Sequence, residues 1–253
     1  MKNILILAPH PDDEIVGTCI IIKKLLEKKT NVTIFFLTTG IISKNDMWFF
    51  NRANYEELIK IRLNEAKKTL KELGIKKFFL QKIPSRSLTV NLRKTFIKLK
   101  RIMDNNNFDC LFVPAYEGGH QDHDVANFLS SFFIQRVKVF EYSEYNYFKK
   151  KINSNNFIKK SGQEKVLKLS CSEILFKKKL LRNYKSEKKN LNYVKFDFES
   201  YRPLENYNYA LPAHKGVLFY RRFAFFSWHP RVDETQPENV CKNIIDFRKS
   251  YEK

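Results

Sequence analysis

The stretch APHPDDE, residues 8–14, decides the fold of this 253-residue chain. The strand-like run NILILA (3–8) leads into it, and the helix-like run IVGTCIIIKKLL (15–26) follows. A strand, a tight turn and a helix in this order are typical of α/β proteins. The turn places one histidine beside three consecutive acids, an arrangement whose electrostatic cost falls when a cation binds among them.

Strand and helix patterns alternate over the first 145 residues. Strands are predicted at five short apolar runs, residues 4–8, 32–37, 77–80, 110–113 and 137–142. Helices are predicted between them, near residues 14–28, 53–73, 89–103 and 121–134. Because parallel neighbours need crossover connections, this order predicts a Rossmann-like, mostly parallel sheet with helices on both faces.

The alternation weakens after residue 145. We predict one domain over residues 1–253, in which a small C-terminal extension (146–253) shapes the substrate pocket of the α/β core (1–145). Residues 145–163 are predicted to form a polar, mobile segment. The other predicted elements are helices over 172–189 and 238–249 and, between them, an aromatic-rich tract over 198–228. This tract is expected to contain strands or ordered loops that pack in the core, with a platform for sugar rings as the alternative.

A second polar cluster, PAYEGGHQDHD (114–124), follows the fourth predicted strand. Because ligands of parallel α/β sheets bind beyond the carboxyl ends of the strands, both clusters are expected at the same rim. Three of the five histidines of the chain, His10, His120 and His123, fall in these clusters. We therefore predict a shared metal site. The alternative is a set of helix-capping acids with incidental surface histidines.

The residue types of the two clusters suit metal-dependent hydrolysis. Zinc in hydrolases takes three ligands from histidine and carboxylate side chains and keeps a position for water. A spare carboxylate then acts as the general base for attack by the zinc-bound water. A remaining histidine–aspartate pair suits stabilisation of an oxyanion or protonation of a leaving amine. The spacing leaves open which of Asp12, Asp13 and Glu14 is the ligand and which is the base.

PHPDDE (9–14) followed by GHQDH (119–123) resembles the two motifs of the PIG-L/LmbE family of metal-dependent N-acetyl sugar deacetylases. The resemblance implies an LmbE-like fold and a Zn²⁺ cofactor, with Fe²⁺ as the alternative ion. It also implies six site residues: His10, Asp13 and His123 as metal ligands, Asp12 as general base, His120 as the group acting on the carbonyl oxygen or leaving amine, and Asp122 as the acid that orients His120.

Three further stretches carry a weaker resemblance to the family: IRLNEAKKTLKELGI (61–75), KKKLLRNYKSE (177–187) and YRPLENYNYALPAHKGVLFY (201–220). The first implies that Arg62 binds substrate, with a solvated or salt-bridging role beside Glu65 as the alternative. In the second, Glu187 stands where the family usually has glutamine. The third contains His214, which we predict to line the pocket, with a surface loop position as the alternative.

We considered three explanations for the net charge of +20. Lysine-rich surface in contact with solvent is the preferred explanation, and a phosphate-bearing substrate or peripheral contact with an anionic membrane is the next. Specific nucleic-acid binding is disfavoured because lysine greatly outnumbers arginine. The chain contains no run of the roughly 18 apolar residues that a membrane span needs, and its apolar start is too short for a signal peptide.

These features predict a cytoplasmic deacetylase of an N-acetylated amino sugar or glycoconjugate in glycan biosynthesis. Four cysteines without C-x-x-C spacing agree with reduced thiols in the cytoplasm. A thiol-cofactor precursor is the alternative substrate. Two other classes stay open: a non-haem Fe(II) oxygenase, which uses the same ligand types, and a basic binding protein without catalysis. The oligomeric state is not predicted.

Overall fold

The computed structural model describes residues 1–230 and 232–252. Over these residues the chain forms nine strands: β1 (Asn3–Ala8), β2 (Asn31–Phe36), β3 (Lys77–Leu80), β4 (Cys110–Pro114), β5 (Lys138–Tyr142), β6 (Tyr145–Phe148), β7 (Lys151–Ser154), β8 (Lys165–Lys168) and β9 (Phe198–Pro203). It also forms seven α-helices: α1 (Asp13–Val16), α2 (Cys19–Glu27), α3 (Tyr55–Leu73), α4 (Leu92–Asp104), α5 (Gln121–Ser130), α6 (Cys171–Leu181) and α7 (Pro237–Tyr251).

The main sheet has seven strands in the order β3-β2-β1-β4-β5-β9-β8. The first five strands of the chain pair in parallel, whereas β9 and β8 join one edge in antiparallel pairs. The predicted α/β fold with a mostly parallel sheet is therefore confirmed. Within the described part of the chain, none of the helices combines the length and apolar composition that a membrane span requires.

Alternate residues of β1 pack into two different cores. Leu5 and Leu7 share one cluster with side chains of α4, α5 and α7. Ile4 and Ile6 share the other cluster with side chains of α2, α3 and α6. Helices thus cover both faces of the sheet, and all four of these β1 side chains are fully buried, as expected for a central parallel strand.

The strand order places a crevice beside β1. The chain runs outward from β1 to β2 and β3, then returns to pair β4 with the other side of β1. Ligand sites of open α/β sheets form at such a reversal, beyond the carboxyl ends of the strands. The turn from β1 to α1 and the turn from β4 to α5 both lie at this end.

The C-terminal half differs in part from prediction. The segment predicted to be polar and mobile after residue 145 contains the β6–β7 hairpin. Its two-residue turn, Lys149 and Lys150, has positive φ at both positions, which is the conformation that Asn-Gly normally signals. The predicted helix over 172–189 ends at Leu181. The aromatic-rich tract, for which strands or ordered loops are predicted, begins with β9, which extends the sheet.

A buried ion pair joins this half to the first motif. Lys177 Nζ lies 2.7 Å from Glu199 Oε1 and donates to the Val16 carbonyl at the end of α1 over 2.8 Å. The Glu199 carboxylate also accepts the backbone N–H groups of Ile20 and Ile21, in the first turn of α2. The helix ends that follow the APHPDDE turn are therefore held by β9 and α6.

Lys177→Met is expected to lower the free energy of unfolding by about 3–5 kcal/mol, because the Glu199 carboxylate loses its buried cationic partner. Chemical denaturation measures the change. The matched control is Lys178→Met, an exposed neighbour on α6, for which a change within about 0.5 kcal/mol is expected. Equal unfolding midpoints for the two variants would show that the ion pair does not support the fold.

Candidate metal and catalytic site

Two turns bring the predicted site residues together. The turn after β1 carries His10, Asp12 and Asp13, and the turn after β4 carries His120, Asp122 and His123. β1 and β4 are hydrogen-bonded parallel neighbours, so their carboxyl ends lie side by side. The turns therefore meet at one rim, as the sequence predicts.

His10, Asp13 and His123 form a compact group of ligand-type atoms. Asp13 Oδ2 lies 3.3 Å from His10 Nδ1 and 3.3 Å from His123 Nε2. The two ring nitrogens are 3.4 Å apart, and all three side chains are buried. Two imidazoles and one carboxylate are the donor set of hydrolytic zinc sites, and non-haem iron uses the same set. The residues therefore fit a divalent ion.

Electrostatics also favour a cation in this group. Burial disfavours charge on His10, but Asp13 and Asp122 outweigh burial and raise its pKa to about 10. Burial likewise opposes ionisation of Asp13, yet His123 and His10 hold its pKa well below the usual range. A proton on His10 supplies positive charge to the buried acids, and a metal ion takes over this role when it displaces that proton.

Asp122 contacts both histidines of its neighbourhood. Its Oδ2 lies 3.0 Å from His10 Nε2 and 3.6 Å from His120 Nδ1, so the shorter contact is with His10. Backbone N–H groups of Arg86 and Leu88 also donate to this carboxylate, over 2.7 and 3.0 Å. The carboxylate thus orients His10, and the predicted support of His120 rests on the longer contact.

The protonation state of His120 follows from its position at the start of α5. The His120 Nδ1 atom accepts the backbone N–H of Asp122 over 3.0 Å. Burial, followed by the charge of His10, lowers the pKa of His120 well below its ordinary value. Because Nδ1 accepts this bond, the ring proton of neutral His120 lies on Nε2, where it can be donated to a hydrogen-bond acceptor.

The three consecutive acids have three different environments. Asp13 contacts the histidines, and Asp12 lines the cavity described below. Glu14 accepts the Asp12 backbone N–H over 3.0 Å and the Tyr184 hydroxyl over 2.5 Å, so it stabilises the turn. Asp12 has a φ of 137°, a conformation that is strained for a residue with a side chain.

Glu144 is a site residue that the sequence analysis missed. It follows β5 at the same rim and is buried, with Oε2 3.6 Å from His123 Nδ1. Burial and the charges of Asp13 and Asp12 raise its pKa well above the ordinary value. The available signal was an acidic residue just beyond a buried parallel strand, but Glu144 lies outside both motifs.

Arg62 is buried in the wall of the cavity, and its guanidinium is hydrogen-bonded to other groups of the protein. It forms an ion pair with Glu187 and donates to Ser186 Oγ over 2.8 Å and to the Pro11 carbonyl over 3.2 Å. Its Nη1 lies 3.9 Å from Asp12 Oδ2. These contacts correspond to the salt-bridging alternative, and the substrate role of Arg62 stays a prediction.

The site lies in a cavity of about 1220 Å³. Its wall includes aromatic residues from both halves of the chain: Trp48, Tyr145, Tyr193, Phe219, Tyr220, Phe223, Phe226 and Trp228. His214 is not among the described residues that line it. Its ring packs edge-on against Phe148 in the β6–β7 hairpin, with a centroid separation of 5.4 Å, which agrees with the surface-loop alternative.

Comparison with known proteins gives a family match that includes both turns. The model of the PIG-L family, described as GlcNAc-PI de-N-acetylase, matches residues 5–132, which is half of the chain. Diacetylchitobiose deacetylase of Thermococcus kodakarensis is 31% identical over 135 residues. That match covers 51% of this chain and 48% of the relative, so the chain spans about half the length of the curated relative it matches.

Solved structures share the fold at low sequence identity. A deacetylase of the teicoplanin biosynthesis pathway has a TM-score of 0.65 and 13% identity, over 82% of this chain and 99% of that one. N,N'-diacetylchitobiose deacetylase of Pyrococcus horikoshii has a TM-score of 0.56 and 20% identity, over 84% of both chains. A 4-carboxy-2-hydroxymuconate hydratase of Pseudomonas putida has a TM-score of 0.52 and 11% identity, over 82% of this chain and 98% of that one, so likeness of fold alone does not identify the reaction.

The structural role of Arg62 can be tested by a double-mutant cycle. Arg62→Met is expected to cost about 2–4 kcal/mol of unfolding free energy, because Glu187 and the Pro11 carbonyl lose a charged partner. Arg62→Met with Glu187→Met is expected to cost less than the sum of the single changes. Denaturation curves measure all three. Lys67→Met, on an exposed position of α3, is the control, and strict additivity of Arg62 and Glu187 would contradict their coupling.

Proposed function

Because this chain belongs to the PIG-L family, we propose that it hydrolyses the acetamide bond of an N-acetylated amino sugar and releases acetate. The observation that carries the proposal is the compact group of His10, Asp13 and His123 beside a spare carboxylate, Asp12, in a large cavity. The chemistry of an Fe(II) oxygenase does not require a spare carboxylate such as Asp12 beside the ligands. A basic binding protein without catalysis does not require the buried group of His10, Asp13 and His123.

We assign His10, Asp13 and His123 as the residues that hold a divalent ion, Zn²⁺ in the first instance and Fe²⁺ as the alternative. When bound, such an ion supplies a Lewis acid that polarises a carbonyl group and lowers the pKa of water. Asp122 and Glu144 are assigned to support two of the ligands. Asp122 lies 3.0 Å from His10 Nε2, and Glu144 lies 3.6 Å from His123 Nδ1, which in each ring is the nitrogen that does not face Asp13.

Asp12 is assigned as the general base. Its carboxylate takes a proton from the water that attacks the acetamide carbon. Burial, followed by the Asp13 charge, raises the pKa of Asp12, and the Arg62 guanidinium opposes that rise. The turn restricts the movement of Asp12, since its backbone N–H is bound by Glu14.

His120 is assigned to the carbonyl oxygen. Its Nε2–H group can donate to the negative charge that develops on this oxygen as water adds to the carbon. The carbon–nitrogen bond then breaks, and the proton held by Asp12 passes to the leaving nitrogen. The products are acetate and the free amine of the sugar.

The cavity suits a sugar substrate. Its volume accommodates more than one sugar ring, and the aromatic side chains of its wall offer faces on which such rings stack. Lys189 and Arg222 also line it, which allows a phosphate-bearing substrate. The T. kodakarensis and P. horikoshii relatives are named for diacetylchitobiose, an N-acetylated sugar. A thiol-cofactor precursor stays the alternative.

Cytoplasmic location and a role in glycan biosynthesis stay predictions. The four cysteines are free thiols, three of them buried, which agrees with a reducing compartment.

The ligand assignment predicts that the purified chain carries one divalent ion and that His123→Ala loses it. Elemental analysis after dialysis against trace metal measures the content. His214→Ala is the matched control, because His214 lies outside the cavity, and it is expected to keep the ion. Glu144→Gln is expected to bind the ion about 10–100-fold more weakly. Full metal content in His123→Ala would contradict the assignment.

The base assignment predicts that Asp12→Asn keeps the metal but loses catalysis. Acetate release is expected to fall about 10²–10⁴-fold, because the amide cannot accept the proton. The assay is free acetate from a panel of N-acetylated sugars, nucleotide sugars and lipid-linked sugars. Asp246→Asn, on an exposed position of α7, serves as the control. Undiminished acetate release from Asp12→Asn would exclude Asp12 as the base.

A further inference from the structure

Two loops at the mouth of the cavity expose neighbouring aromatic side chains, which we call the aromatic rim. The rim consists of Trp48, Phe49 and Phe50 from one loop and Phe223, Phe225, Phe226 and Trp228 from the other. The loops meet through Trp48, whose ring centroid lies 6.4 Å from that of Trp228 and 6.0 Å from that of Phe50. The rim is therefore continuous between two distant parts of the sequence.

The rim is unusually exposed for its composition. Phe225 is 90% exposed, Phe49 is 79% exposed and Trp228 is 68% exposed. Contiguous apolar surface of this kind marks a site of association with a protein or a membrane. Phe49 and Phe225 are not among the described residues that line the cavity, so substrate binding inside the cavity does not account for their exposure.

Basic side chains accompany the rings. Arg52 follows the first group of rings and is held by hydrogen bonds to carbonyls of its own loop. The Arg222 guanidinium stacks over Phe223 at 4.6 Å from the ring centroid, and Lys189 lines the mouth. Asp46 lies in the first loop, and Glu56 and Glu57 begin α3 directly after it. The excess of basic groups is therefore a property of the whole chain, which carries a net charge of +20.

This composition suits one partner better than the others. Exposed tryptophan and phenylalanine among basic side chains are typical of surfaces that enter the headgroup region of anionic membranes. A second copy of the chain would bring two net charges of +20 together, which opposes association. A free glycan would reach the rings that line the cavity but would leave Phe49 and Phe225 in water.

We propose that the aromatic rim docks this chain onto the surface of an anionic bilayer. The rings insert between the headgroups, and the arginine and lysine side chains contact acidic headgroups. The cavity mouth then faces the membrane.

The chain provides its own probe for this docking. Its two tryptophans, Trp48 and Trp228, are both members of the rim. Addition of vesicles made of equal parts phosphatidylcholine and phosphatidylglycerol is expected to shift tryptophan emission to shorter wavelength and to carry the chain down on sedimentation. Vesicles of phosphatidylcholine alone are expected to bind more weakly, and added salt is expected to reduce binding to the anionic vesicles.

The combined variant Phe49→Ser and Phe225→Ser tests the rim itself. Both side chains are exposed, so the fold is expected to be retained, and partition to anionic vesicles is expected to fall about 100-fold or more. Leu175→Ser is the matched control, because Leu175 is 69% exposed on α6, and it is expected to bind as the unaltered chain does.

The outcomes separate docking from catalysis. Absence of sedimentation and of an emission shift with anionic vesicles would overturn the docking proposal, as would self-association that the double variant abolishes. Acetate release from a water-soluble substrate is expected to be unchanged in the double variant. A chain that binds vesicles yet releases no acetate from any substrate would refute the proposed function and leave the docking intact.

Discussion

The rest of the structure depends on the position of the Asp13 carboxylate, which lies between the imidazoles of His10 and His123. It lies in a region where Asp12, Glu14 and Glu144 are also buried, and four acids in one place are stable only with compensating positive charge or hydrogen bonds. The turn after β1 sets the position of three of these acids. The elements around this turn therefore have to supply the positive charges and hydrogen-bond donors that these buried acids require.

Much of that compensation comes from the second half of the chain. Tyr184 donates to Glu14, Glu187 and Ser186 fix the guanidinium beside Asp12, and Lys177 with Glu199 holds the helix ends that follow the turn. The stretch KKKLLRNYKSE, only weakly similar to the family, thus supplies the direct support of its most specific motif. Glu187, which stands where the family usually has glutamine, forms an ion pair with the buried Arg62.

The sequence was sufficient for the parallel core and for the convergence of the two motifs, because both depend on local signals: apolar strands, crossover helices and polar turns at strand ends. It was insufficient where long-range pairing decides. Glu144 and the partners of Arg62 come from segments distant in sequence, and the preference of Asp122 for His10 over His120 depends on angles that spacing does not contain. The β6–β7 hairpin was missed because its turn is Lys-Lys, which carries none of the usual turn signals.

The dependence of the first motif on Lys177, Tyr184 and Glu199 has a consequence for synthesis of the chain on the ribosome. The parallel strands β1, β2, β3 and β4 and the turns that carry Asp12, Asp13 and Asp122 leave the exit tunnel well before these three residues. Until they arrive, Glu14 lacks its hydroxyl donor and the first turn of α2 lacks the Glu199 carboxylate. The first motif therefore completes its contacts only after the segment that contains Lys177, Tyr184 and Glu199 has been synthesised.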